Sequence, residues 1–254
     1  MRFLTHGDKN KPSLLMIHGM TNTSSLFDPL LPYLCDYYVI VCELDGHSAS
    51  DDSEFVSIIA SCEEIEAYVH QALDGELYGL LGFSLGGTIA AELIARSKIK
   101  VERTILDAAF VIRMGFKKYP FKLVFQGAIW CLKKSIPIPA FMVERFMGKG
   151  NIGILDTLYR GVSMKTVGCA CMACYDYEIP ESLREYTNPV VYWYGENEPY
   201  PKKSAELLKK FLPQMKILEL KAMGHGQMLH EHPEAYTDQM IKQLSDGSVL
   251  YDRS

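Results

Sequence analysis

No apolar run in this chain is long enough to span a bilayer. A strand-like segment, Arg2-Phe3-Leu4-Thr5, begins almost at once, so no signal peptide is expected. Basic charge is not in excess: 26 Lys+Arg stand against 31 Asp+Glu, a formal net charge of -5, which argues against a nucleic-acid partner. Internal repeats and low-complexity segments are absent. The cysteines (Cys35, Cys42, Cys62, Cys131, Cys169, Cys171 and Cys174) number seven. An odd count at irregular spacing excludes a simple disulfide framework and fits reduced thiols in a cytoplasmic protein. Cys169, Cys171 and Cys174 have no second ligand pair or nearby histidine to complete a four-ligand set, so no metal is expected there. A helix packing small apolar thiols against the core is the simpler reading. What the chain does have is core-forming material. Its 254 residues are 48% hydrophobic, enough for one α/β domain with an insertion or for two small domains.

Strand-like and helical patterns alternate. Ser13–Ile17 and Val39–Cys42 read as short buried strands. Ser53–Leu73 reads as a helix, with Phe55, Ile58, Ile59, Cys62, Ile65 and Val69 near helical spacing. The apolar run Leu77–Leu81 then leads into Gly82-Phe83-Ser84-Leu85-Gly86-Gly87, followed by a small-residue helical stretch, Thr88–Ala95. Strand, G-x-S-x-G, helix is the context of a nucleophile elbow. A serine on so sharp a turn has a strained backbone, and the residues two before and two after it must be tiny; Gly82 and Gly86 meet that demand. The turn lifts the Ser84 hydroxyl above the sheet edge and aims free helix N–H groups at the same point.

A serine hydroxyl is a poor nucleophile near neutral pH and needs a base, an orienter and oxyanion donors. His18-Gly19-Met20 follows the first strand, so the backbone N–H groups of Met20 and Leu85 are the candidate donors. His18, Gly19 and Phe83 are expected to border the substrate. Late in the chain, Gly224-His225-Gly226 follows the strand-like Met215–Leu220, and His225 is the candidate base. The acid belongs on the loop after Pro189–Tyr194, which reads Gly195-Glu196-Asn197-Glu198-Pro199. Glu198 is favoured, Glu196 competes, and Asp107, at the end of the strand Val101–Leu106, is a third candidate. Lys202–Phe211 reads as an amphipathic helix, a last helix runs from about Glu234 to Leu244, and the tail 245–254 is expected to fray.

Taken together these residues resemble the α/β-hydrolase superfamily over most of the chain. Asp45-Gly46-His47-Ser48-Ala49-Ser50 looks like a shortened form of that family's D-x-x-G-H-G-x-S loop, and Gly224-His225-Gly226 followed by His230–Glu234 looks like its closing pattern. The resemblance implies a mostly parallel sheet flanked by helices, lacking the first strand of the family's full sheet. It implies a core at 1–109 and 187–254, and a helical cap at 110–186 inserted between the sixth and seventh family strands. It also implies that His47 packs under the elbow or lines the pocket.

The alternation of strands and helices breaks between Phe110 and about Tyr186, where Phe116, Tyr119, Phe121, Phe125, Trp130, Phe141, Met142, Phe146 and Met147 supply apolar surface. Some of these must be cap core; the rest would form an apolar pocket over Ser84 and exclude water. Residues 110–150 also carry eight basic side chains (Arg113, Lys117, Lys118, Lys122, Lys133, Lys134, Arg145, Lys149) and one acid, Glu144. These could be a solvated lid face, a site for an anionic substrate such as a coenzyme A thioester, or a weak contact with an anionic membrane surface.

The expected activity is hydrolysis of a small or medium apolar carboxylic ester through Ser84, His225 and Glu198, with no metal or organic cofactor, by a monomer or homodimer. Alternatives are an acyl thioesterase, a monoacylglycerol-type lipase, a carbon–carbon hydrolase or lyase such as the menaquinone-pathway synthase, and a non-enzymatic ligand receptor. The lyase group carries an arginine soon after its elbow, where this chain has Thr88. Dehalogenase chemistry needs a carboxylate at the elbow, and Ser84 excludes it.

Overall fold

A computed structural model of the protein describes residues 1–49, 52–198 and 200–245. Seven strands form one sheet in the order β1-β3-β2-β4-β5-β6-β7. They are β1 (Arg2–His6), β2 (Ser13–Ile17), β3 (Tyr38–Glu43), β4 (Glu76–Phe83), β5 (Lys100–Asp107), β6 (Val190–Gly195) and β7 (Lys216–Leu220). Only β1, at one edge, runs antiparallel; β2 to β7 pair in parallel. Central parallel strands are covered on both faces, so they read as unbroken apolar runs. Leu14 to Ile17 are fully buried, as are Leu80, Leu81 and Leu106.

Two apolar clusters follow, one on each sheet face. One holds Ile17, Ile40, Leu80, Ile89 and Tyr192, together with α1 (Ile58–Leu73) and α2 (Leu85–Arg96). The other holds Met16, Phe27, Leu81, Trp193 and Tyr236. The α1 helix starts five residues later than its periodicity predicts, because Ser57 caps it by accepting the Ala60 N–H at 3.0 Å. Phe55 is still buried, in the extended segment before the helix. The α2 helix is buried on every side from Leu85 to Ala95.

Between β5 and β6 the chain leaves the sheet and forms α3 (Lys118–Lys133), α4 (Ala140–Met147) and α5 (Met164–Tyr175). The cysteine cluster lies on α5, with Cys171 and Cys174 buried. The acid strand is followed by α6 (Pro201–Phe211), and the base loop by α7 (Gln227–Glu231) and α8 (Pro233–Leu244). The expected frayed tail lies outside the described residues beyond Ser245, as do Ser50 and Pro199.

The elbow depends on close backbone packing. A Cβ on Gly86 would sit 2.1 Å from the Ile17 carbonyl oxygen, and one on Gly82 would sit 2.2 Å from that of Gly86. Neither contact can relax by rotating a side chain. Overpacking costs about 1–3 kcal/mol, and Tm moves about 2–4 °C per kcal/mol in a chain of this size. Gly86→Ala is therefore expected to lower Tm by roughly 2–12 °C in a calorimetric melt. An unchanged Tm would show that the elbow tolerates a wider approach.

Candidate active site

Ser84 stands between the last residue of β4 and the first of α2, with φ 54° and ψ -114°. A non-glycine residue at positive φ is strained and persists only where its surroundings hold it. Here the Ser84 N–H donates to the Asp107 carbonyl at 2.8 Å, and its own carbonyl accepts the Thr88 N–H at 3.1 Å. His225, partly exposed, faces it from the loop after β7. Its Nε2 lies 3.0 Å from Ser84 Oγ, and its Nδ1 lies 2.6 Å from Glu198 Oε2. Glu198 is buried, and its second oxygen accepts the Gly195 N–H at 2.6 Å. This pattern places the histidine proton on Nδ1, facing Glu198, and leaves Nε2 to accept from the serine.

The other two carboxylates do not reach the imidazole by a hydrogen bond. Glu196 is exposed; it accepts the Ala222 N–H at 3.0 Å and pairs with Lys221 at 3.2 Å, bracing the base loop from outside. Asp107 is buried and accepts the Tyr236 hydroxyl at 2.8 Å. Burial first, then the negative charge of Glu198, pushes Asp107 up to about 7. Burial works against a charged His225, but Glu198, with a smaller contribution from Asp107, offsets it and raises the imidazole above its ordinary value.

Met20 and Phe83 line the cavity in front of Ser84. Leu85 opens α2, where a first-turn N–H has no intrahelical acceptor. The Phe83 ring lies against His225 with centroids 4.9 Å apart. His18 and Gly19 do not border the substrate space as expected. His18 is fully buried; its Nε2 accepts the Leu44 N–H at 3.1 Å and its Nδ1 bonds the Gly19 carbonyl at 2.8 Å, tying the ends of β2 and β3 together. Burial, with His47 adding to it, holds His18 down at about 3, so it stays neutral. Gly19 is packed against Phe83 and Asn22, leaving no room for a Cβ. His47 packs beneath, with its ring 5.2 Å from His18 and edge-on to Phe55.

The segment after β5 roofs the site. Phe121, Phe125, Phe146 and Met147 line the cavity, whereas Phe116, Tyr119, Trp130, Phe141 and Met142 do not and are exposed. Of the basic residues, Arg113 pairs with Asp176 and Glu178, and Lys118 with Asp176. Thr88 donates to the Phe110 carbonyl at 2.9 Å. Among the described residues, no group of three or more His, Cys, Asp or Glu is placed to hold a metal ion, and no helix is long and apolar enough to cross a membrane.

Sequence reasoning missed Asn151. It is fully buried, and its Nδ2 donates to the carbonyls of His225 (2.8 Å) and Met147 (2.9 Å). Its Oδ1 lies 3.1 Å from His230 Nε2, and the His225 N–H donates to the Met147 carbonyl at 2.7 Å. A Cβ on Gly148, at φ 99°, would meet Gly224 Cα at 2.7 Å. The roof and the base loop therefore touch backbone to backbone. The pair of tiny residues, Gly148 and Gly224, was the available signal.

Residues 14–239 match the model of the Alpha/beta hydrolase family, and the chain belongs to that family. It is 21% identical over 241 residues to the pimeloyl-(acyl-carrier protein) methyl ester esterase of Nitrosomonas europaea, covering 89% of this chain and 93% of that protein. A shorter match, 31% identical over 106 residues, joins it to the enzyme of the same name from Neisseria meningitidis serogroup C. That match spans 41% of this chain and 40% of the relative. Among solved structures, an alpha/beta hydrolase family protein from Desulfitobacterium hafniense superposes with a TM-score of 0.86 at 22% identity, over 96% of this chain and 100% of that one.

Two measurements test this geometry. An acid whose folded pKa is raised holds its proton in the native state where the unfolded chain, at about 3.9, has lost it. Asp107 therefore subtracts stability progressively from about pH 4 to about 7, and in full above that. Asp107→Asn is expected to melt higher than the parent at pH 8, with the gap closing by pH 4.5. A gap independent of pH would mean that Asp107 is ionised in the fold. Asn151→Ala removes the donor to the His225 carbonyl and the partner of His230 Nε2, while the Met147 carbonyl keeps the His225 N–H; each group left unpaired costs about 1–3 kcal/mol. The substitution is expected to lower Tm and to slow turnover of any ester that the parent cleaves.

Proposed function

We propose that the protein is a serine hydrolase that cleaves small or medium apolar carboxylic esters through an acyl-enzyme. The observation that carries this reading is the continuous hydrogen-bonded chain Ser84–His225–Glu198 at the floor of an apolar cavity. Ser84 Oγ attacks the ester carbonyl while His225 Nε2 takes its proton. The carbonyl electrons move to oxygen, where the N–H groups of Met20 and Leu85 receive the oxyanion. One such donor is worth about 2.7–4 kcal/mol in the transition state. Collapse expels the alcohol, which leaves with the proton from His225. Water then attacks the acyl-serine by the same route and releases the acid. Glu198 holds the imidazole tautomer and stabilises its charged form.

In this reading residues 110–186 are a cap that shapes the pocket and keeps out water. The relatives named for methyl ester cleavage support an ester with a small alcohol. A thioesterase or a monoacylglycerol-type lipase would use the same residues on a different leaving group. All seven cysteines are free thiols, which suits a reducing compartment such as the cytoplasm.

The test is mass spectrometry after exposure to a fluorophosphonate. Rapid modification at Ser84 is expected, lost in Ser84→Ala and strongly slowed in His225→Ala. A folded protein that stays unmodified would overturn the reading. In kcat/KM against pH, the rising limb is expected above about 6.5, the ordinary histidine value, because His225 must be neutral to accept the proton. Glu198→Gln is expected to move that limb to lower pH and to reduce kcat by about two to four orders of magnitude.

A further inference from the structure

The cavity in front of Ser84 is small, about 120 Å³. An apolar cavity of about 150 Å³ is filled by one benzene ring. The space at the nucleophile therefore takes an ester group and only a few carbons. A second cavity of about 380 Å³ lies in the roof between α3 and α4. The two share a wall: Phe121, Phe125, Phe146, Met147, Leu158 and Tyr175 border both. No charged side chain lines the second one. Leu123, Val124, Trp130 and Met142 on its lining are exposed, so it is an open apolar groove that reaches from the solvent to the wall of the Ser84 cavity.

We propose that this groove is the distal half of the substrate site. It receives the far end of an unsubstituted hydrocarbon chain, roughly ten to fifteen carbons by the same volume scale, whose ester carbon lies at Ser84. The inference rests on the serine hydrolase reading for its reacting end alone. Its support is the wall of six side chains that the two cavities share and the chemistry of the lining. Leu, Ile, Val, Pro, Met and aromatic side chains offer almost nothing to a sugar, a peptide or a nucleotide, whose polar groups would be desolvated without partners. Phe121 and Phe125 stand one helical turn apart on α3, and Phe146 faces the groove from α4. These three rings form the neck between the chambers and set which chains pass.

Either side of the ester could carry the chain, and two substrate series separate them: p-nitrophenyl acyl esters from acetate to dodecanoate, and alkyl acetates from methyl to dodecyl. On one series kcat/KM is expected to rise about fourfold per methylene, at least to about ten carbons. Gly127 borders the groove, and a Cβ there meets nothing within 4 Å. Gly127→Phe is therefore expected to fold, and to lower the ratio of ten-carbon to four-carbon kcat/KM at least tenfold. Turnover that is flat with chain length on both series, while fluorophosphonate still modifies Ser84, would overturn the chamber and leave the hydrolase reading standing.

A binding measurement tests the chamber without catalysis. The chain has two tryptophans. Trp130 borders the groove, and Trp193 is buried in the core on one sheet face. Monomeric decanoate or decanol added to Ser84→Ala protein is expected to give a saturable blue shift in tryptophan emission, absent from the same protein carrying Trp130→Phe. No shift, or a shift only with anionic phospholipid vesicles, would overturn the chamber; the second result would make the roof a lipid-docking face. A saturable shift in a protein whose Ser84 never reacts would keep the chamber and remove the hydrolase reading.

Discussion

The site rests on how closely backbone can approach backbone at the carboxyl end of the sheet. Ser84 is held at positive φ because β2, β4 and the first turn of α2 meet with no side chain between them. The Ile17 and Gly86 carbonyls occupy the space that side chains at positions 86 and 82 would need. The strain is local, but its support is not. It comes from a parallel sheet whose central strands are fully buried and from a helix with no exposed face until its last turn. A strained residue in so rigid a setting keeps its hydroxyl in one place, which nucleophilic chemistry requires.

The second close approach, Gly148 against Gly224, joins the roof to the loop of His225. Asn151 completes that joint with hydrogen bonds to both sides. The imidazole is thereby placed by three bodies: Glu198 from the acid loop, Phe83 from the elbow strand and Met147–Asn151 from the roof. Any movement of the roof at this point also moves the backbone of the base. The apolar cavity and the base are coupled by direct backbone contact and hydrogen bonds, not by a long-range path.

Two buried carboxylates, Glu198 and Asp107, lie under the site with different partners. Glu198 has the His225 Nδ1–H and the Gly195 N–H as hydrogen-bond donors. Asp107 accepts the Tyr236 hydroxyl, is buried, and faces the negative charge of Glu198. Like charges in a poorly solvated space cannot both ionise cheaply. Asp107, buried beside Glu198, is pushed towards its neutral form.

The sequence by itself determined the elbow, because G-x-S-x-G between an apolar strand and a small-residue helix has few other uses. It also determined the alternation that builds the sheet, because periodicity records burial, and it singled out His225 through its flanking glycines. It favoured Glu198 as the acid over Glu196 and Asp107 by loop position alone, since the contact itself depends on which oxygen comes within 2.6 Å of His225 Nδ1. It misplaced His18, whose type suits a site but whose ring is committed to the Leu44 N–H. It was silent on Asn151, whose partners lie 4 and 74 residues away. In the roof it marked the apolar residues but not their directions: Phe121 and Phe146 face the cavity, while Phe116 and Phe141 face solvent. Local pattern records what one element needs from its neighbours. Which groups from distant elements converge on one atom is decided only when the elements pack.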